Sequence, residues 1–160
     1  SKLFLVPFGD IQKRIVLSSP NPYRIILYRR FMVRIAQALA QREGAGALVT
    51  GDSLGQVSSQ TLPNIAVIDD VSTMPILRPL IGSNKQEIID SAQSIGTYPV
   101  SILPDQDCCT LFNPRNPVTR SNPQVVDRVE SLLPVERMVE DTLNQVEVRR
   151  FHFPTEKRSG

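Results

Sequence analysis

Ala47-Leu48-Val49-Thr50-Gly51-Asp52-Ser53-Leu54-Gly55-Gln56-Val57-Ser58-Ser59-Gln60-Thr61 is the run on which the reading of the fold turns. Ala47 to Thr50 is short and apolar, as a buried strand is. Gly51-Asp52-Ser53 is a turn, and Ser53 to Gln60 is expected to be helical, with Pro63 disturbing it. Strand, glycine turn and helix start is where α/β folds place ligands, because free backbone N–H groups and the helix dipole converge there. Gly51 and Gly55 allow close backbone approach, and the Gln60 amide can hydrogen-bond a base edge or a sugar. The same residues also read as an ordinary turn and helix with polar groups facing water, and the pattern alone is a weak nucleotide signal.

Outward from this run, Tyr23 to Arg42 is the clearest helix. Leu27, Phe31, Ile35, Ala38 and Leu39 fall on one arc, with Arg29, Arg30, Gln37 and Gln41 on the other side, and Gly44 and Gly46 end it. Lys2 to Phe8 reads as a strand, and Asp10 as the cap of a short helix through Ile11, Ile15 and Val16. Pro75 to Leu77 is strand-like. Ser83 with Gln86 resembles a capping box opening a helix whose buried stripe is Ile88, Ile89, Ala92 and Ile95, closed by Gly96. Tyr98 to Leu103 reads as a strand. Asp105 to Pro123 is a Pro- and Asn-rich loop, long enough to suggest a functional role. Val125, Val126, Val129, Leu132 and Leu133, then Val135, Met138, Val139, Leu143 and Val146, are amphipathic helical sets. Gln145 to Phe151 reads alternatively as a strand. Strands alternating with helices argue for an α/β fold with a parallel sheet flanked by helices.

Composition narrows the class. The 160 residues are 41% hydrophobic and 21% charged, which suits one globular domain with a buried core. A formal charge of +2 argues for no nucleic-acid footprint by itself. No apolar run approaches the roughly 20 residues that span a bilayer, and no signal segment opens the chain, so the cytoplasm is the expected location. The two cysteines, Cys108 and Cys109, are adjacent. Their Cα atoms, about 3.8 Å apart, lie below the usual disulfide range, so a structural bridge between them would be strained. The one histidine, His152, lies between Phe151 and Phe153 and reads as a packed or solvent-edge side chain, so no metal site is expected. In the loop, Cys108 and Cys109 are candidate nucleophiles or sulfur carriers, with Arg115 and Arg120 placed to favour a thiolate. The competing reading is two small buried apolar residues. Arg29 and Arg30 suit bidentate phosphate contacts or, more plainly, a solvated helix face.

Five motifs occur in order: Leu27-Tyr28-Arg29-Arg30-Phe31-Met32, the Thr50-to-Thr61 run, Leu77-Arg78-Pro79-Leu80-Ile81, Ile95-Gly96-Thr97-Tyr98 and Asp107-Cys108-Cys109-Thr110. The set resembles the PP-loop domain of the tRNA 4-thiouridine synthetase family, from about Leu3 to about Thr119. The resemblance implies an adenine nucleotide alpha hydrolase-like fold. It also implies ATP with Mg2+, adenylation of a tRNA uridine, and displacement of AMP by sulfur carried as a persulfide. A cysteine desulfurase is the implied donor, and sulfur supply for the thiazole of thiamine is an implied second role. Arg29, Gly51 and Gln60 match nucleotide-contacting positions, and the sulfur carrier matches Cys109, with Cys108 the alternative.

The family's Ser-Gly-Gly-x-Asp-Ser pyrophosphate loop does not occur in this sequence, nor do its first strands. The chain is therefore expected to be a segment of a longer protein, to be complemented by a missing N-terminal segment or partner chain, or to pair with itself as a homodimer. Residues 1–122 are expected to be the C-terminal part of the sulfurtransferase domain, 123–153 a helical segment and 154–160 a disordered tail. The rival class is a tRNA-binding or assembly module without chemistry of its own.

Overall fold

The computed structural model describes residues 1–104 and 116–152. Cys108, Cys109 and Arg115 lie outside the described residues, as does the tail at 154–160. Helix α2 (Arg24–Arg42) is the axis of the fold. Around it pack α1 (Gly9–Ser18), α3 (Leu62–Asp69), α6 (Pro123–Glu130) and α7 (Val135–Leu143). Ile26, Leu27, Phe31 and Ile35 of α2 meet Ile11, Ile15, Val67, Ile68, Val126, Val129, Leu133 and Met138 in one core. Because neighbours surround it, α2 buries more than one stripe. Its C-terminal end closes on Gly44 at φ 70°. The Ala45 and Gly44 N–H groups reach back to the Ala40 and Gln41 carbonyls at 2.9 and 3.2 Å, the paired bonds of a left-handed glycine close.

Two short ladders accompany the helices. Strand β1 (Lys2–Leu5) pairs antiparallel with β4 (Glu147–Arg150), Lys2 opposite Arg150 and Leu5 opposite Glu147. Strand β2 (Leu48–Val49) pairs in parallel with β3 (Ile76–Leu77). The α/β class therefore holds, but a continuous parallel sheet does not form among the described residues: each ladder has two strands. Of the two readings of 145–151, the strand is the one that forms.

Several local expectations are corrected. The helix expected over 53–60 is a turn followed by one 3-10 turn, Ser58–Gln60. The helix begins after it, at Leu62, where the Thr61 hydroxyl accepts from the Asn64 N–H at 3.4 Å. Pro63 falls in the first turn, where no donor is needed, so it supports the helix instead of disturbing it. Helix α4 (Lys85–Ser94) is capped one residue later than expected, by Asn84 with Glu87. Its apolar stripe is only partly buried: Ile88, Ile89 and Ala92 are intermediate and Ile95 is 72% exposed. Tyr98 to Leu103 forms no strand; a short helix, α5 (Tyr98–Ser101), takes its place with Pro99 in the first turn. Asp10 sits in the first turn of α1 and caps nothing.

Arg30 is the largest correction. It is 3% exposed, not on a solvated face. Its guanidinium donates to Glu130 at 3.2 Å, to Asp127 at 2.8 Å and to the Val67 carbonyl at 3.1 Å. Arg34 completes the cluster with two bonds to Glu130, at 2.6 and 2.9 Å. The cluster ties α6 to α2 and α3.

Candidate functional site

The ends of β2 and β3 lie side by side, as a parallel pair places them. The Thr50 N–H donates to the Leu77 carbonyl at 3.0 Å, and Leu54 to Ile81 at 3.1 Å. The Ser53 hydroxyl bonds the Ser83 carbonyl at 2.7 Å. The two loops that follow the strands are thus fastened together at their C-terminal ends, where open α/β sheets carry ligands.

Asp52 sits at the centre of this edge with its side chain 4% exposed. Burying a carboxylate requires partners, and four side chains supply them. Arg29 reaches it from α2 at 2.5 Å, Thr50 at 2.8 Å, Arg78 from the end of β3 at 3.2 Å, and Gln60 from the 3-10 turn at 3.3 Å. Burial alone would raise the Asp52 carboxyl. The Thr50 hydrogen bond and the Arg29 and Arg78 guanidinium groups outweigh it and hold Asp52 below its ordinary value. Arg78 also grips Asp69, the last residue of α3, through two bonds of 2.9 and 2.5 Å.

A carboxylate only accepts, so the Gln60 NH2 faces Asp52 and the Gln60 Oε1 is left as an acceptor. Both that oxygen and the Arg29 Nε are buried, and neither has a hydrogen-bond partner among the described residues. Buried polar atoms rarely stay unpaired, so the site holds one orphan donor and one orphan acceptor on neighbouring side chains. Gly51, next to Asp52, is exposed, and a Cβ added there would meet no atom within 4 Å. The turn has open space against its backbone.

Arg29, Gly51 and Gln60, expected as nucleotide contacts, are therefore brought together, with Asp52 as the joint. The two cysteines lie outside the described residues. The segment that resumes after them is fastened to the Gln60 turn through Asn64, which is fully buried. The Asn64 Nδ2 donates to the carbonyls of Ser58 and Val118 at 2.7 and 2.9 Å, and its Oδ1 accepts from the Ser121 N–H at 2.9 Å. The Thr61 hydroxyl adds a bond to the Thr119 carbonyl at 2.7 Å. His152 is exposed.

Sequence reasoning missed Asp52, Arg78 and Asp69 as site residues. A signal existed for two of them. Asp52 is the one charged residue between Glu43 and Asp69, and Arg78 the one between Asp70 and Lys85. A lone charge in an uncharged stretch next to buried strands must find a partner.

No group of three or more His, Cys, Asp or Glu among the described residues could hold a metal ion. Both carboxylates of the site are paired with guanidinium groups, whose positive charge disfavours a cation beside them. No described helix is long and apolar enough to cross a membrane.

Comparison with known proteins gives one answer. A "Probable tRNA sulfurtransferase" of Thermus thermophilus is 52% identical over 153 residues, covering 96% of this chain and 38% of the relative. One of the same name from Brevibacillus brevis is 47% identical over 147 residues, covering 92% and 37%. The fold matches a crystal structure of a 4-thiouridine synthetase–RNA complex with bound ATP, with TM-score 0.88 and 41% identity, covering 92% of this chain and 39% of that one. The chain spans under two-fifths of the length of these relatives. The family model described as "Thiamine biosynthesis protein (ThiI)" matches residues 1–135, through β2, β3 and the whole Asp52 cluster, and the chain belongs to that family.

Proposed function

We propose that this chain is part of an ATP-dependent tRNA uridine 4-sulfurtransferase and supplies one side of its nucleotide site. The observation that carries this reading is the Asp52 cluster, which joins Arg29 to Gln60 beside the open face of Gly51. The Arg29 guanidinium and the Gln60 amide carry the donors and the acceptor that nucleotide recognition requires. The neighbour of similar fold, crystallised with RNA and ATP, supports the same assignment. The pyrophosphate loop expected from the family is absent from this sequence. Contacts to the triphosphate, and any Mg2+ that travels with it, then come from the rest of a longer protein, arranged as a PP-loop ATPase fold.

In this reading a tRNA uridine is adenylated as pyrophosphate leaves. Sulfur delivered by a cysteine desulfurase and held as a persulfide on Cys109 then displaces AMP, as the outer sulfur bonds the uridine carbon. A thiol reductant attacks the Cys109 sulfur and breaks the S–S bond, and the 4-thiouridine leaves. A second reductant thiol returns the resulting Cys109 disulfide to the thiol. Arg29 and Gln60 hold the nucleotide, and Asp52 fixes both in place beforehand, so that little ordering is left to binding. Supply of sulfur to the thiazole of thiamine is a second use of the same persulfide.

The test is a purified assay of the full-length protein containing this chain, with unmodified tRNA, ATP, cysteine, a cysteine desulfurase and a thiol reductant. The expected result is 4-thiouridine, read by mass spectrometry of the nucleosides, whose formation requires both ATP and the desulfurase. Thiolation that proceeds without ATP, or none at all, would overturn the reading.

A further inference from the structure

We infer that Arg78 is a positioning residue for the nucleotide site, acting through Asp52; this rests on the nucleotide reading of that site. Arg78 touches neither Arg29 nor Gln60 through any described hydrogen bond, yet it is placed to govern both. Its side chain is 10% exposed. One edge of the guanidinium holds Asp69 in a fork of two bonds, and its Nε donates to Asp52 Oδ2 at 3.2 Å.

The fork is anchored on purpose-built geometry. Asp69 ends α3, where the helix dipole disfavours a negative charge. It is compensated there by Arg78, whose own charge is held more firmly by both aspartates: burial would weaken it, and Asp69 and Asp52 more than reverse that. The result is an alternating row, Asp69, Arg78, Asp52, Arg29. Asp52 Oδ1 faces Arg29 and Gln60, and Asp52 Oδ2 faces Thr50 and Arg78.

Division of the two oxygens is the device. With Arg78 on Oδ2, Asp52 cannot turn both oxygens onto the Arg29 fork, the geometry that guanidinium and carboxylate otherwise prefer. Among the described residues Arg29 is held by one hydrogen bond, through Nη2, and its Nε–H is unpaired. Without Arg78, Oδ2 keeps only the Thr50 hydroxyl, and the carboxylate can turn toward the Arg29 fork and away from Gln60.

A double-mutant cycle on ATP affinity in the full-length protein tests this, with Arg78→Met and Arg29→Met. Arg78→Met is expected to weaken ATP about tenfold in the wild-type background and less than about twofold when Arg29 is already methionine. Arg78→Lys, which keeps charge but not the fork, should recover only part of the loss. If Arg78→Met does not fold, Asp69→Asn on the half-exposed end of the row carries the same cycle with a smaller first effect. An equal loss in both backgrounds, or no loss, overturns the positioning role while leaving the nucleotide reading intact. Unchanged ATP affinity in Arg29→Met alone would sink the nucleotide reading, and the role of Arg78 with it.

Discussion

Cys109→Ser is expected to lower ATP-dependent tRNA thiolation more than about a thousandfold, the scale on which removal of a catalytic nucleophile acts. ATP affinity should stay within about twofold. The argument is chemical. A thiolate sulfur bonds a second sulfur and passes it on; a serine oxygen forms no persulfide. Nucleotide binding should be untouched, because among the described residues Asp52 takes its hydrogen bonds from Thr50, Arg29, Gln60 and Arg78, which the substitution leaves in place. Cys108→Ser serves as the paired control and should retain thiolation within about tenfold. Persulfide trapping followed by peptide mass spectrometry reads the carrier directly. A label on Cys108 that survives Cys109→Ser would move the role by one residue. A label on neither would remove it from this chain.

Glu130→Gln is expected to destabilise the protein by about 3–5 kcal/mol, read by denaturant unfolding. Glu130 is 5% exposed and neutralises two guanidinium groups. Taking its charge away leaves Arg30, itself 3% exposed, with a neutral amide oxygen in place of the carboxylate, the Val67 carbonyl and the half-exposed Asp127. Arg34 loses less, since it is partly exposed and stacks over Phe31 at 6.0 Å. An Arg30→Met, Glu130→Leu pair should cost less than Glu130→Gln alone, because it leaves no unpaired buried charge.

The same cluster sets an acid limit. Burial would raise Glu130, but the hydrogen bonds and charges of Arg34 and Arg30 pull it below its ordinary 4.5. The unfolded chain therefore binds this proton more tightly than the folded one. The stabilisation is present above about 4.5 and is lost as pH falls through the depressed folded value. Asp52 acts in the same sense from its ordinary 3.8 downwards. In Glu130→Gln the slope of stability against pH in this window should be shallower by up to about 1.4 kcal/mol per pH unit.

The parts of the fold legible in sequence were those governed by local rules. Helix α2 shows its period and its glycine close, and the turn at Gly51 announces itself. Arg30 was hidden because its partners lie far away in the chain: Glu130 is 100 residues distant. Arg29 and Arg30, neighbours on one helix, point to different carboxylates, so only tertiary packing tells them apart. The false strand at 98–103 and the incompletely buried stripe of α4 share a cause. Both stretches carry apolar residues that this chain leaves exposed, Ile95, Val100, Ile102 and Leu103 among them, and an apolar pattern shows what can be buried, not what covers it. Within the site, Arg29, Gly51 and Gln60 were reached through family resemblance. Asp52, which joins Arg29 to Gln60, was visible only as an isolated charge.

The most direct measurement is the ATP affinity of Gly51→Val in the full-length protein, alongside its unfolding free energy. The Gly51 backbone lies outside the left-handed region, and a Cβ there meets no described atom beyond its chain neighbours within 4 Å. Folding stability should therefore change by less than about 0.5 kcal/mol. If the nucleotide lies against that turn, valine takes its space, and affinity should fall by at least about tenfold, or 1.4 kcal/mol. Wild-type affinity in a normally folded Gly51→Val protein would mean that ATP binds elsewhere, and that the Asp52 cluster is architecture alone.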